Sequence, residues 1–542
     1  MADQNTHGEN AHDHYDAIVV GAGIAGLYQL YRLREMGLSV KSFDAAPAVG
    51  GTWHWNCYPG ARVDSQSYVY QYWFSDELIE EWNWSERFPA QPETERYLNF
   101  VADKLDLRKD IQFDTRVTSA DWDEAANCWN VVTDQGDHVD AQFLISCTGM
   151  LSAPKVPPFP HHERFQGQVA HSARYPRGGI DMAGKRVGVV GTGATGIQII
   201  QTIADQVENL TVFQRTAQYG VPMRNIRFTD ADRAYWREQA HELKERVQHT
   251  FAGFDFDLDH GSWHDHTPEQ RRKILEEIWA DGSLSFWVGS FPEVLSEKAA
   301  NDEISEFTRE KIRARINNPE MAEKLIPYSY GFGTYRVPLE TGYYDVFNRD
   351  NVELVDVRDA PIECFTQTGL KTSNAEYELD VVILATGFDA GTGSLTQMNI
   401  HGREGRSLKQ EWSRDIRSTL GLQVAGYPNL FTIAGPLAPS TAFCNMTTCL
   451  QQQVDWVTDC IGYLRDKGST SIEPTLEKQD EWVQHHDDTA NATLMITTNS
   501  WYTGANIEGK PRRLLSYIGG VAEYRRICDE LKEGGYRGFV IA

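Results

Sequence analysis

Residues 15–44 read YDAIVVGAGIAGLYQLYRLREMGLSVKSFD, and the fold of the chain turns on this stretch. Ala17–Val20 reads as a short buried strand, Gly21-x-Gly23-x-x-Gly26 as a turn, and Leu27 to Met36 as a helix with one apolar face. Gly37 stops that helix, and Val40–Phe43 forms a second strand ending at Asp44. The first two glycines permit a tight turn and close backbone approach, and the third lets helix and strand pack together. The helix N-terminus then faces a pyrophosphate, and an acid about 20 residues on binds ribose hydroxyls. Three glycines alone would be weak evidence. With strand, helix and Asp44 in register, they predict a dinucleotide-binding βαβ unit.

The same unit recurs in residues 184–216, GKRVGVVGTGATGIQIIQTIADQVENLTVFQRT. Strand Arg186–Val190, turn Gly191-x-Gly193-x-x-Gly196, a helix from Ile197 and strand Leu210–Phe213 repeat the pattern. This second strand ends in Gln214-Arg215-Thr216, with no carboxylate for a ribose 2′-hydroxyl. An Arg there suits a 2′-phosphate and favours NADP over NAD; the plain alternative is a solvated strand-end cation. Two dinucleotide folds suggest two cofactors, one supplying hydride and one receiving it, with FAD expected at the N-terminal site. FLISCTGM (143–150) and VVILATGFD (381–389) each run a buried strand into Thr-Gly and read as crossings between the two halves.

The predicted architecture is therefore α/β with two Rossmann-like units. The FAD unit is expected at 15–150 and 386–542, and the NADP unit at 151–225 and 331–385. Residues 226–330 look like a helical insertion: Thr267-Pro268-Glu269-Gln270 is a capping box with Pro at the first helical position, and Asn318-Pro319-Glu320 starts another helix.

Composition agrees with this reading. A chain of 542 residues exceeds the usual size of one core, and 41% hydrophobic with 24% charged residues is ordinary globular composition. With 51 basic and 77 acidic residues the net charge is −26, which argues against a general nucleic-acid or anionic-membrane surface while leaving room for local anion pockets. No run approaches the roughly 20 apolar residues of a membrane span. The opening residues, 1–14, are polar and read as a disordered tail without the apolar core of a signal peptide. Eight cysteines over this length make no disulfide framework and point to a reducing cytoplasm.

One passage fits neither helical nor strand periodicity: GGTWHWNCYPGARVD, residues 50–64. It matches a long fingerprint, Gly50-Gly51-x-Trp53-x4-Tyr58-Pro59-Gly60-x3-Asp64, and FQGQVAHSARYP supplies a shorter one through Phe165, Gly167, His171 and Pro176. With GFGTYRVPLETGYYD (331–345) and SWYTGANIEGKPR (500–512), the chain from residue 15 to 542 resembles the type I Baeyer–Villiger monooxygenases. Tyr175 departs from the pattern, standing where the family has Trp, and Tyr335 stands where the family often has Lys.

The resemblance implies an enzyme that uses NADPH, FAD and O₂ to turn ketones into esters or lactones through a C4a-peroxyflavin, with sulfoxidation as a side activity. Such a site holds an anion, excludes water and fixes geometry. Arg336 is implied beside the peroxide, with Asp64 orienting it. FAD would lie against Gly21, Gly23, Ala25, Gly26, Asp44, Thr52, Trp53, Trp55, Asp64, Tyr70, Val117 and Met446. NADP would lie against Arg62, Thr192, Gly193, Ala194, Thr195, Gly196, Gln198, Arg215, Thr216, Tyr335, Arg336 and Trp501. His171 is implied in domain linkage rather than chemistry, and loop 435–446, with Phe443, borders the substrate. The partners expected are a small ketone and O₂, with no metal, no nucleic acid and no membrane, in a monomer or weak homo-oligomer. A flavin N- or S-oxygenase, a flavin disulfide reductase using Cys444-x4-Cys449, and a nucleotide-binding scaffold are the competing readings.

Overall fold

A computed structural model describes residues 13–441 and 443–542. The chain opens with β1 (Asp13–Val20), α1 (Ile24–Glu35) and β2 (Val40–Phe43). The predicted tail overlaps β1 by two residues: Asp13 and His14 pair with Val139 and Asp140 of a later strand, and residues 1–12 lie outside the described residues. The helix starts three residues earlier than the apolar pattern suggests, because the third glycine of the turn lies inside it. A Cβ on Gly26 would stand 1.7 Å from the Gly21 carbonyl oxygen. Alternate residues of β1 feed two cores, Ala17 and Val19 on one face and Ile18 and Val20 on the other. A sheet covered on both faces explains the unbroken apolar run that the sequence shows there.

After β2 come β3 (Ile111–Gln112), β4 (Val117–Asp123), β5 (Cys128–Thr133) and β6 (His138–Ser146). The chain then leaves this sheet and builds a second one from β7 (Gln168–His171), β8 (Arg186–Val190), α2 (Ala194–Ile203), β9 (Asn209–Gln214), β10 (Val352–Asp356) and β11 (Val381–Leu384). Its strand order is β10-β9-β8-β11-β7, all parallel. Between β9 and β10 the described elements of 226–330 are helical and include Pro268–Asp281 and Lys298–Arg313. The capping box is present: the Gln270 N–H donates to Thr267 Oγ1 at 3.3 Å, and Gln270 Oε1 accepts from the Thr267 N–H at 2.8 Å. From helix Lys298–Arg313, Asn301 donates to the Phe332 carbonyl and Ser305 accepts from the Phe332 N–H, which fixes the segment leading to Arg336.

The chain returns to the first sheet with β12 (Ile400–His401) and β13 (Leu430–Thr432), the latter parallel to β6. The sheet order is β12-β4-β5-β6-β1-β2-β3, with β13 also on β6. Helix α3 (Met446–Lys467) follows and lies on α1. Tyr28 donates to Asp455 at 2.6 Å, Arg32 forms an ion pair with the same carboxylate, and Gln29 donates to Thr458 at 3.2 Å. No helix among the described residues is long and apolar enough to cross a membrane.

Candidate functional site

The two glycine turns open into one cavity of about 1110 Å³. At its two ends stand the N-termini of α1 and α2, which begin alike: Gly23 and Gly193 occupy the N-cap, no side chain caps the backbone, and neither first turn carries an acid. Uncapped N–H groups with the positive end of a helix dipole form an anion site. Gly21 and Gly191 have φ of 111° and 108°, and a Cβ on either would meet a carbonyl oxygen at 2.6 or 2.4 Å. That close approach is what the glycines serve.

The surroundings of the two turns differ. In the first, Asp44 is buried at the end of β2, and its carboxylate accepts from the backbone N–H groups of Ala22 and Ala46. Burial raises its pKa, and the two backbone donors pull it back down. In the second, Arg215 is exposed and forms no ion pair among the described residues. Lys155 lines the same part of the cavity, and its amine is lowered by burial and then by the nearby Arg215 charge. Thr192 donates to the Thr216 carbonyl at 2.8 Å, closing the turn against the strand end.

The aromatic loop joins the halves. Gly51, at φ 53°, sits so close to Gly23 that its Cβ would stand 2.8 Å from the Gly23 Cα. At the far end of the loop a Cβ on Gly60 would stand 2.5 Å from the Gln198 carbonyl oxygen in α2. Tyr58 donates to Gln198 Oε1 at 3.0 Å, and Gln198 donates to the Arg62 carbonyl at 3.1 Å. Trp53 donates to Tyr70 Oη at 3.0 Å, and Arg174 lies 4.2 Å above the Trp55 ring.

At the end of this loop Asp64 forms an ion pair with Arg336. Arg336 also donates to the Val337 carbonyl, and its guanidinium lies 5.2 Å from the centroid of Trp287. Trp287 packs 5.7 Å from Phe443, which in turn packs 5.7 Å from Tyr502. Trp501 lies against Tyr502 at 4.1 Å, and Tyr335 donates to the carbonyl of Asn499 in the same segment.

Most of the residues expected from sequence converge on the cavity: Gly21, Gly23, Ala25, Asp44, Thr52, Trp53, Trp55, Arg62, Asp64, Tyr70, Val117, Thr192, Gly193, Ala194, Thr195, Arg215, Thr216, Tyr335, Arg336, Met446 and Trp501 all line it. Gly26 and Gly196 do not; each lies within its helix, packed under the carbonyl of the first glycine. Gln198 is also off the wall, spent on holding the aromatic loop. Arg62 lines the cavity but is ion-paired to Glu86 at 2.8 Å.

His171 connects the two crossings. Its Nδ1 accepts from the Ala173 N–H at 3.1 Å, which leaves Nε2 to donate, 3.2 Å from both the Lys155 carbonyl and Thr386 Oγ1. Burial lowers its pKa. Tyr175 is buried, and burial pushes its phenol up to about 12. Sequence reasoning missed Lys155 and Trp287. A basic residue after the first crossing was a signal for Lys155, whereas nothing in the helical stretch distinguishes Trp287 from a core aromatic. Cys444 and Cys449 form a disulfide at the cavity wall; Cys57, Cys128, Cys147, Cys364, Cys460 and Cys528 are free, so one bridge is present and no framework. Among the described residues no cluster of side chains could hold a metal.

Residues 15–226 match the family of flavin-binding monooxygenase-like proteins. The chain is 55% identical over 528 residues to an acetone monooxygenase (methyl acetate-forming) from Gordonia sp. (strain TY-5), covering 97% of this chain and 99% of the relative. It is 40% identical over 529 residues to a Baeyer–Villiger monooxygenase from Pseudooceanicola batsensis, covering 97% and 96%. Among solved structures, a complex of OTEMO with FAD and NADP superposes with a TM-score of 0.94 at 40% identity, over 97% of this chain and 99% of that one.

Proposed function

The chain belongs to the Baeyer–Villiger family of flavin-binding monooxygenases, and on that premise we propose that it converts a small ketone to its ester with NADPH and O₂. The observation that carries the reading is the Arg336–Asp64 pair on the wall of a cavity that also receives both uncapped helix N-termini. FAD fits the first turn and NADP the second. The flavin unit is assigned to residues 15–150 and 386–542, the NADP unit to 151–225 and 331–385. FAD held at the first turn would supply the redox chemistry with NADPH and O₂ that no side chain here offers.

The protein's own share is placement and charge. The N–H groups of α1 would hold the flavin pyrophosphate and Asp44 the adenosine ribose. Arg215, with Thr216, would read the 2′-phosphate, and Lys155 would add a second cation where Tyr335 supplies none. Arg336 would stabilise negative charge developing on oxygen in the cavity beside it. A permanent cation in a partly buried site does this without reorganising solvent. Asp64 aims the guanidinium, and the Trp287 ring beneath it keeps water from that face. Phe443 and Trp287 crowd the space beside Arg336, which suits a short ketone, the substrate class in the name of the Gordonia relative.

The test is a ketone panel. The purified yellow protein is expected to oxidise NADPH faster with acetone or butanone than with bulky cyclic ketones, and to release the ester found by mass spectrometry. NADPH oxidation that no ketone accelerates, with peroxide as the sole product, would defeat the proposal.

A further inference from the structure

Cys444 and Cys449 stand apart from the other cysteines. They are the bridged pair among the described residues, while the six others are free thiols. The ring they close spans a sequence separation of 5, too short to restrain the unfolded chain much, so the bridge is a poor staple. Its position is local and specific: Cys444 lines the cavity, next to Phe443, and Cys449 lies in the first turn of α3. Both are buried, with Val521 packed against them, so the cavity is the route of a small reagent to Cys444.

The backbone between the two cysteines is anchored independently of the bridge. The Asn445 N–H donates to the Ala252 carbonyl at 2.7 Å, the Asn445 side chain to the Val69 carbonyl at 2.7 Å, and Thr448 Oγ1 to the Gly253 carbonyl at 3.0 Å. With these contacts intact, opening the bridge leaves two thiols facing each other, and their re-closure is intramolecular.

We propose that Cys444 and Cys449 are an oxidation site, a cysteine pair closed by hydrogen peroxide from the cavity and reopened by cellular thiols. The Cys444 thiolate attacks one peroxide oxygen; the S–O bond forms, the O–O bond breaks, and the departing hydroxide is protonated to water. The Cys449 thiolate then attacks that sulfur; the S–S bond forms and the second hydroxide leaves and is protonated. Two thiols lose two electrons and one peroxide becomes two waters. Resting on the proposed function, the peroxide arises from NADPH, a proton and O₂ whenever no ketone consumes the oxidant. Closure would then tie the Phe443 loop to α3 at the time the pocket is running without substrate.

The test uses the holoenzyme, reduced with dithiothreitol and desalted without air. Near-stoichiometric reagent hydrogen peroxide is expected to convert the 444–449 pair to a disulfide, seen by alkylation and mass spectrometry, before the half-buried Cys57 and Cys364 react. Glutathione is expected to restore two alkylatable thiols. In Cys449→Ser, Cys444 is expected to stop at a sulfenic acid that dimedone traps. A bridge that dithiothreitol cannot open in the folded holoenzyme would overturn the proposal, as would oxidation of Cys57 or Cys364 while the pair stays reduced. NADPH without ketone is expected to close the same bridge, and catalase to prevent it. Closure by reagent peroxide but not by NADPH would support the pair and count against the proposed function.

Discussion

The two βαβ units share a backbone plan and differ in what surrounds it. Gly23 is backed by Gly51: a Cβ on Gly23 would stand 3.3 Å from the Gly51 Cα, so the aromatic loop closes over the first turn. A Cβ on Gly193 would meet nothing within 4 Å. The strand-end groups differ in the same sense, Asp44 buried and hydrogen-bonded, Arg215 exposed and unpaired among the described residues. On the proposed function, the first turn would enclose FAD and the open second turn would admit NADPH. The same motif would then serve both, with the neighbours setting how each cofactor is held.

The comparison breaks most visibly at its glycines. Gly23→Val should abolish flavin retention, since the new side chain has Gly51 on one side and the pyrophosphate on the other; absorbance at the flavin band per protein measures this. Gly193→Ala should keep full flavin and alter only the KM for NADPH. A soluble Gly23→Val protein that purifies yellow would erase the distinction drawn between the turns.

A second substitution asks whether the units alone suffice. Arg336→Ala leaves both turns untouched, so it should bind FAD and still be reduced by NADPH. Removing one preorganised donor at a reacting centre costs about 2.7–4 kcal/mol, a loss of roughly 10²–10³-fold in ester formation. Oxygen consumed by this variant should leave as peroxide. Asp64→Ala should damage the same step less, because the cation remains but is poorly aimed. Stopped-flow absorbance with product analysis reads both, and ester formed by Arg336→Ala at near wild-type rate would reduce Arg336 to a structural cation.

The open unit is probed by Arg215→Ala. A charged hydrogen bond to the 2′-phosphate is worth about 1.5–3 kcal/mol, so the KM for NADPH should rise roughly 10- to 150-fold while NADH use changes little. Equal effects on the two cofactors would show that Arg215 does not read the phosphate.

The smallest effect concerns the link between the units. Burial lowers the pKa of His171, so on acidification the unfolded chain takes up the proton first, starting near pH 6.5. Stability from a neutral His171 is therefore present above that pH and is lost as pH falls toward the folded-state pKa. His171→Gln should flatten the decline of Tm between pH 7.5 and 5 relative to the parent chain. Parallel melting curves across that range would remove His171 from the linkage.

Much of this was legible because glycine, alternation and charge act locally. β2 and β8 match the residues read from apolar runs, and the capping box at Thr267 lies where the sequence puts it. Asp64 and Arg336 were legible only through the fingerprint that Asp64 closes, since they are 272 residues apart. Other features escaped for physical reasons. α1 and α2 begin earlier than the apolar pattern suggests, because glycine is a poor helix former that packing here overrides. Gln198, which the resemblance implies as an NADP contact, has its side chain hydrogen-bonded to Tyr58 and to the Arg62 carbonyl, a tertiary arrangement that spacing alone does not show. Trp287 reaches the site through tertiary packing that no local pattern encodes, whereas Lys155 was signalled only by its place after the first crossing.

The order in which the chain is made follows from the placement of β13 and α3. β1 and α1 are made well before β13 and α3: β13 joins β6, and Asp455 meets Tyr28 and Arg32, only after some 400 further residues have been added. At about 5–20 residues per second that interval is on the order of 20–80 s. Through it the first sheet waits with an exposed face while the second unit, β7 to β11, can close from residues made in between. A chain truncated before α3 would therefore carry the complete glycine motif without the helix that packs on α1 and without the Met446 side of the cavity wall.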